Sequence, residues 1–90
     1  VEDDIQAKLN DVTTKYYEKF ERLLGNITSF KVHIKPHEKS GHTSKYSLIV
    51  KVDSKSKIFE VEKIDFDAIK LIHIVYEALE NEIDHYVNSQ

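Results

Sequence analysis

Cysteine is absent from the 90 residues, which removes disulfides, thiolate metal sites and thiol nucleophiles from consideration. A fold that is stable without them suits a reducing compartment, so a cytoplasmic location is expected. Glycine occurs only twice, at Gly25 and Gly41, and neither a GxGxxG turn nor a P-loop can be written from two. Proline occurs once, at Pro36. No apolar stretch reaches the roughly 18 residues that a membrane-spanning helix needs, and no signal-peptide pattern opens the chain. A membrane partner is therefore not expected. Position 1 is Val, which reads as a processed or truncated N-terminus. The serines lie in turn-like clusters without a G-x-S-x-G setting. Paired carboxylates fall on exposed helix surface, where nothing tunes them for acid–base work. Neither enzymatic activity nor a small-molecule substrate is expected.

What is present is an ordinary globular mixture, 40% apolar and 32% charged, enough for one small domain over residues 1–90 with a modest core. The net charge of −3 hides an uneven layout. Residues 1–24 carry six acids and four bases, residues 25–63 eight lysines and four acids, and residues 64–90 one lysine and six acids. A basic middle between acidic ends can steer an anionic partner that the total charge would discourage.

Ile5, Leu9, Val12, Tyr16, Phe20 and Leu23 recur at helical spacing, and Gly25 followed by Asn26 supplies a stop. Phe30–Lys35 alternates, with Val32 and Ile34 on one face and Lys31, His33 and Lys35 on the other. Pro36 should end that strand or place it at an edge, and residues 36–44 read as a mobile loop. A second strand turns Tyr46, Leu48, Val50 and Val52 inward. A turn through Ser54, Lys55 and Ser56 leads to a third, with Phe59 and Val61 inward. Pairing Val52 with Phe59 and Val50 with Val61 sets Lys51 opposite Glu60, a favourable cross-strand pair. The last helix is expected to begin near Asp65 as N-cap, with Ile69, Ile72, Tyr76, Leu79, Ile83 and Tyr86 as its stripe. Lys70, His73, Glu77, Glu80, Asn81 and Asp84 then point outward. The expected fold is α+β in the order α-β-β-β-α, a two-layer sandwich. Its small, mostly antiparallel sheet carries both helices on one face.

Four groups of residues could carry chemistry. Lys8, Lys15, Lys19 and Arg22 form a basic stripe on the first helix, the footprint expected for a phosphate backbone. The acids four residues before Lys8, Lys15 and Arg22 give the same stripe a purely structural use. Lys31 and Lys35 with His33 on the open sheet face, and Lys39 and Lys45 in the loop, offer further phosphate contacts. No aromatic is expected to face outward there, so base stacking is not expected. His33, His37 and His42 fall within "HIKPHEKSGH", but their spacing matches no closed zinc pattern and they read as exposed surface histidines. His73, Glu77, Glu80 and Asp84 read as a solvated acidic face. Neither a metal nor a cofactor is expected.

The stretches "YYEKFERLLGNITSFKVHIK", "KYSLIVKV", "KIFEVEKIDFDAI" and "LENEIDHY" resemble the ribosome hibernation-promoting factors, also called ribosome-associated inhibitor proteins, and their archaeal-style variants most. The resemblance runs over about Ile5 to Val87, in that family's element order. It implies a non-enzymatic cytoplasmic protein that binds ribosomal RNA of the small subunit near the mRNA and tRNA channel and silences translation under stress. Lys8, Lys15, Lys19, Arg22, Lys31, Lys35, Lys39 and Lys45 are the RNA contacts expected on this reading. The acidic outward face of the last helix supports an alternative, a diverged protein–protein interaction module on the same scaffold. Such a module could form a homodimer by strand addition at the exposed sheet edge.

Overall fold

The apolar stripe at the N-terminal end of the chain does form a helix. In a computed structural model that describes residues 2–89, α1 runs Asp3–Leu24 and buries Ile5, Leu9, Val12 and Phe20, with Tyr16 and Leu23 half-buried against the same core. Asp3 and Asp4 in its first turn favour the positive end of the helix dipole. Gly25 ends it at φ +84°, donating its N–H to the Glu21 carbonyl at 2.8 Å. Only glycine takes that left-handed conformation without strain.

Three antiparallel strands follow in the order β1-β2-β3: β1 Ile27–Lys39, β2 His42–Ser54 and β3 Ile58–Asp65. The expected register holds, with Val52 facing Phe59, Val50 facing Val61 and Lys51 facing Glu60. The Ser54–Lys57 turn is closed by three short contacts between those two residues, at 2.7, 2.9 and 3.1 Å.

The expected loop over residues 36–44 is not one. β1 continues through Pro36 to Lys39, and β2 begins at His42, leaving Ser40 and Gly41 as a two-residue turn. Pro36 is tolerated because β1 is an edge strand, where one side of the backbone needs no ladder partner. Ser40 and Gly41 both have positive φ, 55° and 80°, as a hairpin turn of the I′ kind requires to match the strands' twist. The register slips once along this stretch, between His37 and Glu38.

The last helix, α2, runs Ala68–Asn88. Its N-cap is Asp67 and not Asp65. Asp67 Oδ1 accepts from the Ile69 and Lys70 N–H groups at 3.0 and 3.2 Å, while Asp65 Oδ1 accepts from the Asp67 N–H at 2.9 Å. The buried stripe also differs from the expected one: Ile69 is 38% exposed, and Ala68, Leu71 and Val75 join Ile72, Tyr76, Leu79 and Ile83 in the core. The stripe is broad because α2 covers β2 and β3 while also meeting α1.

Both helices lie on the inner face of the sheet, where Leu48, Val50, Val52, Phe59 and Val61 are buried with them in one cluster. The helices run parallel. Tyr16 stacks on Tyr76 with ring centroids 4.9 Å apart, the Thr13 and Tyr76 hydroxyls lie 2.7 Å apart, and Lys19 pairs with Glu80 one turn further along. At the far end Tyr86 donates to Ser56 Oγ at 2.8 Å and packs edge-on against Phe59. Neither described helix is long and apolar enough to cross a membrane.

The sheet is uneven in length. The last pair between β2 and β3 is Tyr46 with Asp65, level with Pro36 on β1, so residues 37–45 project past it as a two-stranded arm. The Cα extents of 48 × 20 × 18 Å reflect this, since a 22-residue helix accounts for only about 33 Å.

Tyr76→Phe is expected to lower stability at neutral pH by about 0.5–1.5 kcal/mol, the net worth of one hydrogen bond, measured by urea unfolding. Burial pushes the Tyr76 phenol up from 10.0 to about 12, against a smaller downward pull from Thr13. The unfolded chain releases this proton first, so folded-state stability falls as pH rises from 10.0 towards about 12. The Phe variant should lack that share of the alkaline loss.

Candidate nucleic-acid interface

With both helices on the inner face, the outer face of the sheet is left to solvent. Strand alternation gives it Lys31, His33, Lys35 and His37 from β1, Lys45, Ser47, Ile49 and Lys51 from β2, and Ile58, Glu60, Glu62 and Ile64 from β3. The cross-strand rows read Lys31–Lys51–Glu60, His33–Ile49–Glu62 and Lys35–Ser47–Ile64, with His37 beside Lys45 beyond them. The face is therefore basic along β1 and the arm, and acidic along β3. Lys31 and Lys51 are direct cross-strand partners, and like charges so placed disfavour the pair. Glu60 on the other side of Lys51 relieves part of that. Lys31, His33, Ile49, Lys51 and Glu60 line a shallow depression of about 280 Å³.

The arm adds Lys39 and Lys45, both exposed, with Glu38 its only acid. His33 and His42 are exposed as expected. His37 is half-buried, its Nε2 3.1 Å from Ser47 Oγ, which holds the ring across the outer face. Among the described residues no group of three metal-binding side chains comes together.

The basic residues of α1 form a separate set. Lys15 Nζ lies 3.4 Å from Asp11 Oδ2, the structural i,i+4 pairing. Lys19 reaches across to Glu80 of α2, and Lys8 is half-buried. Arg22 is exposed in the last turn. Because α1 lies on the inner layer, the structure does not bring these four together with Lys31, Lys35, Lys39 and Lys45. Glu80, expected to point outward, is instead half-buried in the seam between the helices. Its pairing with Lys19 takes one acid off the outer face of α2.

Phe66 carries a signal that the sequence reading passed over. It is 78% exposed, between the end of β3 and the start of α2. Once Asp67 is recognised as the cap, Phe66 occupies the position just before it. An apolar residue there commonly packs against the fifth residue after it, here Leu71. Leu71 is fully buried, yet Phe66 stays out. The aspartates on either side both fold back onto backbone N–H groups, which residue spacing alone does not reveal.

Searches against protein-family models and against curated proteins find no match to this chain.

Lys19→Gln is expected to lower unfolding free energy by up to about 1 kcal/mol, the ceiling for a partly exposed ion pair. Lys35→Gln and Lys39→Gln should change it by less than about 0.5 kcal/mol. Urea denaturation of the three variants measures the difference. Equal costs would show that the pair with Glu80 adds nothing to the helix seam.

Proposed function

We propose that this chain binds ribosomal RNA of the small subunit and inhibits translation as a non-enzymatic, cytoplasmic hibernation-type factor. The observation that carries the reading is the segregation of charge on the open side of the sheet. Lys31, Lys35, Lys39 and Lys45 are all exposed, lie on β1 and its hairpin partner, and run out along an arm whose one acid is Glu38. A row of cations on an extended two-stranded element follows a phosphate backbone and gains affinity by releasing its counterions. The acidic residues of β3 and α2 lie off that row. The resemblance of the chain to hibernation factors supplies the target, since the charge pattern alone names only phosphate.

A second reading, a homodimer by strand addition, is favoured by Ile58 and Ile64, 59% and 56% exposed on the free-edged strand β3. It ranks below RNA binding on electrostatic grounds. A symmetric antiparallel pairing of two β3 strands about Val61 would set Glu60 of each copy against Glu62 of the other, and opposed like charges destabilise such a ladder.

In sucrose-gradient sedimentation of lysate from stressed cells, the protein should travel with small-subunit or whole-ribosome fractions and leave them as salt rises. Charge reversal at Lys35 and Lys39 should release it at lower salt. Failure to enter ribosomal fractions at low salt would sink the proposal, and a monomer–dimer shift in sedimentation equilibrium would then favour the second reading.

A further inference from the structure

We infer that Phe66 is a base-stacking residue, and that the RNA held along the arm is single-stranded where it passes the arm's base. The inference rests on the RNA-binding reading and adds to it the form of the nucleic acid and a residue that reads a base. Three observations carry it. Phe66 is the most exposed large apolar side chain described, at 78%, although a buried Leu71 is available to cover it. It follows Asp65, the partner of Tyr46, so the next step along the β2 ladder is Lys45, opposite His37. The chain at Phe66 therefore leaves the sheet where the arm begins, next after the Tyr46–Asp65 pair, with Lys45 exposed at the base of the arm, Lys35 exposed on β1 and Lys70 exposed in the first turn of α2.

The acids on either side do not spoil this site. The Asp65 and Asp67 carboxylates are both turned onto backbone N–H groups at the start of α2, at 2.9–3.2 Å. Their charge is set against the positive end of the helix dipole. An aromatic face beside lysines is the arrangement used for unpaired nucleotides, in which phosphates follow the cations and a base stacks on the ring. A duplex cannot use it, because its bases are already stacked within the helix and its major groove is too narrow to enter.

The test uses the whole chain and three labelled RNAs of equal length, read by fluorescence anisotropy: an oligouridine strand, the same strand with abasic sites, and a duplex. Phe66→Ala should weaken oligouridine binding roughly tenfold or more and leave binding to the abasic strand and the duplex unchanged, with circular dichroism showing the fold intact. The chain contains no tryptophan, so Phe66→Trp introduces a single indole, whose emission should be quenched by oligouridine and not by the abasic strand. If Phe66→Ala binds oligouridine as tightly as the unaltered chain and the indole is not quenched, the stacking role is overturned. The exposed ring would then be left for a protein contact, while the RNA reading stands. If the unaltered chain binds none of the three RNAs, both fall.

Discussion

Leu48, Val50 and Val52 stand side by side on the inner face of the central strand, and each is fully buried. Everything else in the structure follows from covering them. β2 is flanked by β1 and β3, so its only apolar exit is upward, into the space α2 and α1 fill. A three-stranded sheet has two faces, and the chain has a set of apolar side chains for one. Each fully buried Val or Leu contributes about 1.5–3 kcal/mol relative to exposure, which decides which way the strands present their alternate residues. The remaining face has to be soluble by itself. Its lysines, histidines and glutamates are the result, and among the described residues no helix covers them.

Much of this was legible beforehand, because hydrophobic period and cross-strand charge pairing are local signals. The α1 stripe, the inward set of β2 and the match of Lys51 with Glu60 all follow from residue spacing. Two features were not. Pro36 and three nearby histidines made residues 36–44 look irregular. Yet a proline at a sheet edge costs little, and the turn was carried by Ser40 and Gly41, whose positive φ values no spacing argument reveals. Asp65 and Asp67 were equally good caps on composition. Only the geometry shows that Asp65 caps the cap, which moves the start of α2 and leaves Phe66 outside it. Of the eight candidate RNA contacts, the parity of the strands placed Lys31 and Lys35 correctly. The role of Lys19 depended on where α2 lies, which is a tertiary fact.

Charge is sorted in this molecule by layer and by edge more than by sequence segment. The acids of α2 are partly absorbed in the helix seam, where Glu80 meets Lys19. Those of β3 line one margin of the outer face, and the lysines of β1 line the other. The formal total of −3 therefore says little about how an anion would meet the surface, because opposite signs are held on opposite margins with β2 between them. At physiological ionic strength fields fade over about 8 Å, so an approaching phosphate near β1 senses those lysines far more than the carboxylates of α2.

The register slip between His37 and Glu38 also shapes the arm itself. Irregularities of this kind tighten the right-handed twist of the strands they interrupt, and a ribbon of two strands already twists more than a wide sheet. Lys31 and Lys35 lie in the three-stranded part of the sheet and Lys39 beyond the slip, so Lys39 is rotated about the ribbon axis relative to the other two. A nucleic-acid backbone is itself a winding curve. Under the RNA-binding proposal, its phosphates would follow that turn from the body of the sheet onto the arm.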